Sequence, residues 1–109
     1  LEFQYTARAS YALNKALGAP VGKAFGMTCA CPAAIGVVIA DAAAKAAVIE
    51  PVGYASPAKG TSNSNEVIFT FAGDSGAVRQ AVIAARETGL TLLSTLDPTP
   101  LKSTTTPYI

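Results

Sequence analysis

At 109 residues the chain can build one compact domain and no more. Half of it is hydrophobic and only 14% is charged, a low charge density for a small soluble monomer, so part of its surface is expected to lie against other chains. The net charge is +1, with eight basic residues scattered along the chain rather than gathered in a stripe, which argues against nucleic acid as a partner.

Residues 3–8, FQYTAR, alternate large and small and predict a short strand. SYALNKALG follows, with Ser10 placed to cap a short helix, Tyr11, Leu13 and Leu17 as its bulky apolar positions, and Gly18 to end it. Residues 24–31, AFGMTCAC, carry no charge and fit a buried strand. Pro32 stops it and can open the next helix as its first residue. Residues 33–47 are Ala-rich and too long for a strand, so they predict a helix, with Ile35, Val38, Ile39 and Ala42 on one face. The longest apolar run, PAAIGVVIADAAAKAAVI, is interrupted by Asp41 and Lys45 and makes a poor membrane span.

VIEPVGYA, residues 48–55, predicts a strand broken at Pro51, hence an edge or a bulge. Residues 56–65, SPAKGTSNSN, are a loop by composition. EVIFTFAG, residues 66–73, is the clearest strand. Asp74 or Ser75 then caps a helix over 75–88, with Val78, Val82 and Ala85 as its apolar stripe and Gly89 as its end. LTLLSTL, residues 90–96, predicts a further strand, and residues 97–109 form a Pro/Thr-rich tail. The order β, α, β, α, β, β, α, β predicts an α+β fold: a four- to five-stranded, mainly antiparallel sheet with helices on one face.

The residue inventory disfavours an enzyme. Gly73-Asp74-Ser75-Gly76 spells the tetrapeptide around a serine-protease nucleophile, but the chain contains no histidine to take the serine's proton. Nor does that segment continue into the Gly-Lys-Ser/Thr of a phosphate-binding loop. The seven acids are dispersed, with no evident pair for acid–base work. Cys29-x-Cys31 could form a strained disulfide or offer two ligands, but a structural zinc wants four, so two free, buried or half-buried thiols are the plainer reading. No metal and no cofactor is expected. No signal peptide is visible, and a start at Leu1 without Met is that expected of a processed or trimmed fragment.

Two stretches carry a family resemblance. Asp41-Ala-Ala-Ala-Lys45-Ala-Ala follows a strand containing Phe25-Gly26-Met27 and precedes Val52-Gly53; the second is Gly73-Asp-Ser-Gly-Ala-Val-Arg-Gln-Ala-Val-Ile-Ala-Ala-Arg86. Together they resemble the first and second helices of the bacterial microcompartment shell domain. QYTARASYAL (4–13), YASPAKGTSNSNE (54–66) and the closing Pro107-Tyr108-Ile109 are similar to the C-terminal half of tandem-domain shell proteins of propanediol- and ethanol-utilising microcompartments. The resemblance implies a permuted shell domain over residues 1–96, in which the strand and short helix at 3–18 are an element moved from the end of the domain, followed by the tail at 97–109. It implies a structural shell subunit, not an enzyme, located in the shell within the bacterial cytoplasm. Its partners would be further copies of itself or the N-terminal half of the same tandem protein, other shell proteins, and small polar metabolites in transit, with no nucleic acid and no membrane.

By the same resemblance Ser56, Pro57, Ala58, Lys59, Gly60, Thr61, Ser62, Asn63, Ser64 and Asn65 would line the lip of a pore, where hydroxyls and amides replace part of the hydration of an alcohol or diol. Asp41 and Lys45 would lie at the tile edge, and could also pair within the helix. The alternative is a small ligand-sensing or regulatory domain of α+β type that assembles as a trimeric ring.

Overall fold

A computed structural model describes residues 1–56 and 66–96. The elements run β1 (Glu2–Thr6), α1 (Tyr11–Leu17), β2 (Ala24–Ala30), α2 (Ala33–Ala46), β3 (Glu50–Ala55), β4 (Val67–Gly73) and α3 (Ser75–Leu96). The strands form one sheet in the order β1-β2-β4-β3, antiparallel at every pairing. β2 and β4 are the central pair, and they are the strands made of unbroken apolar and β-branched sequence, as burial on both sides demands. β3 is an edge strand with a register shift between Pro51 and Gly53. Proline has no N–H to give a ladder, so an edge with a bulge is where it fits.

The helix signals at both ends of α1 act as expected. The Ser10 hydroxyl accepts a hydrogen bond from the Leu13 N–H, and Gly18 ends the helix in the left-handed conformation at φ 78°. α2 starts at Ala33, as expected for the 33–47 segment, with Pro32 at its N-cap rather than as its first residue. Its buried face is Ile35, Gly36, Ile39 and Ala43, and Val38 is 45% exposed, not buried as the spacing suggested. Gly36 explains the rotation. A Cβ there would stand 2.5 Å from the Cβ of Val67, so the helix turns its glycine, not its valine, onto β4.

The largest departure is at the end of α3. Residues 90–96, expected as a fifth strand, continue the helix to Leu96. Gly89 does not terminate it. A Cβ on Gly89 would meet Leu1 at 3.1 Å and Ile39 at 3.3 Å, so this glycine serves close packing of α3 against α2 and the first residue of the chain. Leu92 and Leu93 then pack on the core as a continuation of the helical stripe. The lower strand number, four, therefore holds among the described residues.

Successive strand residues point to opposite faces, and the sheet has two unequal layers. On one face α2 and α3 bury Ile39, Phe71, Val78, Ala81 and Ala85 with no exposed surface. Small residues along the helices let the backbones approach closely. On the other face Ala9, Ala19, Phe25 and Ala72 make a smaller cluster, onto which Leu13 of α1 and Val52 pack. The two long helices thus share one face as expected, and the short α1 reaches the other. Among the described residues no helix is long and apolar enough to cross a membrane.

One buried polar atom stands out. The hydroxyl of Thr28, 1% exposed on β2, has no hydrogen-bond partner among the described residues. An unpaired buried hydroxyl costs about 1–3 kcal/mol. Thr28→Val keeps the shape and removes the cost, so it should raise the unfolding free energy by about 1 kcal/mol, read from urea or thermal unfolding.

Candidate functional site

β3 and β4 form a hairpin whose pairing runs out to Ala55 opposite Ile68. Just beyond it the Ser56 hydroxyl donates to the Glu66 carbonyl oxygen at 3.2 Å. This bond closes the neck of the polar connection, so Ser56 is placed at its base. The remaining lip candidates, Pro57, Ala58, Lys59, Gly60, Thr61, Ser62, Asn63, Ser64 and Asn65, lie outside the described residues.

The neck is tied sideways to β2. The Cys29 thiol donates to Glu66 Oε1 at 3.7 Å, and Glu2 pairs with Cys29 from β1. Burial pushes the Cys29 thiol up from its usual range, and the negative charge of Glu66, its hydrogen bond and the charge of Glu2 push it the same way. Both cysteines are free; Cys29 is half-buried and Cys31 exposed. That corrects the expectation that both would be at least half-buried: Cys31 falls just past the end of β2, where no strand covers it. Among the described residues no group of three or more His, Cys, Asp or Glu side chains could hold a metal ion.

A labelling experiment follows from these environments. The thiolate is the nucleophile, so at neutral pH a maleimide should modify Cys31 first and Cys29 at least several-fold more slowly. Raising the pH should narrow the gap. Glu66→Gln should speed Cys29 without bringing it level with Cys31, because burial, the leading cause, remains. Mass spectrometry of the two peptides over time reads the order.

Asp41 and Lys45 meet as expected within one helix, with Lys45 Nζ 2.7 Å from Asp41 Oδ2. The hydrogen bond from Lys45 to Asp41 and the carboxylate charge push the Lys45 ammonium up from its usual range. Both side chains are exposed, so the pair adds little to the stability of the fold. With Val38 they share the outer side of α2, at i, i+3 and i+7. That side is free for a neighbour.

Of the two groups of candidates, the structure pairs Asp41 with Lys45 on α2 and Ser56 with Glu66 at the hairpin neck. It adds Cys29, which the sequence reading did not connect to the loop. The two residues of that contact are 37 apart, and only the register of β2 on β4 brings them together.

Residues 24–99 match the BMC domain family. Over 100 residues the chain is 61% identical to the bacterial microcompartment shell protein PduB of Citrobacter freundii, covering 92% of this chain and 37% of that protein. Its fold matches the crystal structure of a trimeric bacterial microcompartment shell protein PduB with a TM-score of 0.79 at 57% identity, over 88% of this chain and 42% of the other. It matches EtuB from Clostridium kluyveri with a TM-score of 0.80 at 49% identity, over 87% and 42% of the two chains. The chain therefore spans well under half the length of these relatives.

Proposed function

Because this chain belongs to the BMC domain family, we propose that it serves as a structural subunit of a bacterial microcompartment shell in the bacterial cytoplasm, acting by assembly rather than catalysis. The observation that carries this reading is the 61% identity to PduB across 92% of the chain. The chemistry of the chain agrees: no histidine, an exposed outer side on α2, and small residues where helices meet. The family match begins at Ala24, leaving β1 and α1 outside it, which supports reading the strand and short helix at residues 3–18 as the permuted element of a domain over residues 1–96. The domain would stand in a disc beside further copies of itself or a companion half, and next to other shell proteins.

The connection at 56–65 would face an opening in that disc. Its base is pinned by Ser56 and Glu66, and its sequence offers hydroxyl and amide groups with Lys59 as the sole charge. Such a lining would let small polar metabolites such as alcohols or diols pass without a large charge barrier. The ligand-sensing ring gains no support from the PduB identity.

The test is incorporation. A tagged copy expressed in bacteria that make propanediol-utilisation microcompartments should co-purify with intact shells; a tag found wholly in the soluble fraction would overturn the reading. Lys45→Ala should leave the unfolding curve of the isolated chain unchanged and reduce its recovery in shells, because the lysine's role at a tile edge is intermolecular. Equal recovery would remove Lys45 from the edge.

A further inference from the structure

We propose that the α1 lobe is a seam at which this domain packs against another shell domain, here a second copy of the same chain. The inference rests on the shell reading and names the surface through which the subunit assembles.

α1 has seven residues and none is fully buried. A helix that short is not stable by itself. Its own attachments are few: the Ser10 cap, the Asn14 amide donating to the Ala19 carbonyl at 2.9 Å, and Leu13 against the smaller core. Large apolar side chains nevertheless point outward from it and from the turn that follows. Tyr11 is 66% exposed, Leu17 47% and Val21 57%. Beneath them a cleft of about 260 Å³ opens between α1 and the sheet, lined by Gln4, Thr6, Leu13, Leu17, Phe25 and Met27. The lobe thus combines protruding apolar groups with an apolar hollow, on the sheet face that α2 and α3 leave uncovered.

Two further facts choose the occupant. Relatives matched along nearly this whole chain are more than twice as long, so each has room for at least one more unit of this size beside the matched one. The low charge of the chain calls for apolar surface to be covered by protein over an extended area, which a domain supplies and a small molecule filling the cleft does not. Tyr11 and Val21 are exposed and do not line the cleft, so a ligand inside it would leave them uncovered.

The test compares the native mass of the wild-type chain with that of Leu17→Glu and Val21→Glu at one protein concentration, by light scattering. Val48→Glu is the control, since Val48 is 92% exposed between α2 and β3, outside both α1 and the turn that follows it. Amide exchange of residues 11–21 in the wild type, at low and high concentration, keeps the result independent of any loss of the α1 helix in the Leu17 variant. The proposal expects both lobe variants to fall to monomer, the control to assemble, and exchange at 11–21 to slow at least tenfold with assembly. Assembly of both lobe variants with unchanged exchange at 11–21 would overturn the seam and leave the shell reading standing. Slowing that follows added propanediol at constant mass would assign the cleft to a ligand and overturn it too. A wild type that stays monomeric at every concentration also overturns it, and incorporation into shells then decides the shell reading separately.

Discussion

Phe71→Ala is expected to remove about 3–5 kcal/mol of stability. Phe71 has no exposed surface and is among the largest fully buried side chains described. It lies on β4 opposite Gly26 of β2 and Pro51 of β3, with its ring 5.2 Å from that of Phe69. Gly26 is shaped to it: a Cβ there would fall 2.7 Å from the Phe71 ring and 3.0 Å from Val78. Neighbouring groups at Gly26 are therefore too small to fill the space the ring would leave. For a domain whose total stability is on the order of 5–15 kcal/mol, the isolated chain should be largely unfolded near body temperature. Chemical denaturation followed by circular dichroism reads the loss. A cost under about 1 kcal/mol would mean that α3 collapses onto the cavity, contrary to the close packing seen at Gly26.

Gly36→Ala carries the second large effect, and its sign has to be argued. Alanine in place of a helical glycine gains about 1 kcal/mol from propensity alone. Here the new Cβ would stand 2.5 Å from the Cβ of Val67 and 3.3 Å from the Ala30 carbonyl oxygen. Carbon atoms rest at about 3.5–4.0 Å, so helix or strand must move. Overpacking of that kind costs about 1–3 kcal/mol, and the upper end applies because neither Cβ can rotate away. A net loss of about 2 kcal/mol is expected. A companion variant makes the cause specific: adding Val67→Ala should not restore stability, since alanine keeps the clashing Cβ, whereas Val67→Gly should relieve the contact. Restoration by Val67→Ala would place the conflict in the valine methyls instead.

Two glycines, Gly36 and Gly89, mark where local sequence signals stop. Local signals were legible. Ser10 and Gly18 bracket α1 because cap chemistry depends on a few neighbouring atoms. β4 is an unbroken β-branched and aromatic run, and Pro51 marks the edge strand. The failures are contacts between distant residues. Gly89 looks like a helix end, but its missing side chain makes room for Leu1 and Ile39, and residues 90–96 stay helical because Leu92 and Leu93 reach the core. Gly36 decides which side of α2 faces the sheet, so Val38 turns outward although spacing put it inside. At the candidate site, the polar composition of 56–65 and the Asp41–Lys45 spacing were visible in sequence, and the salt bridge formed as the spacing suggested. The tie between Cys29 and Glu66 depends on strand register, which a single sequence does not display.

Assembly as a shell tile is tested first by the native particle. Light scattering coupled to size exclusion gives its mass, and electron microscopy of the same peak gives its form. A shell tile should give a discrete ring-shaped oligomer of the chain, alone or with a companion shell domain, that extends into flat sheets as concentration rises. A stable monomer that forms neither, alone or with that companion, would contradict it and leave the low charge and the exposed apolar lobe at α1 without an explanation.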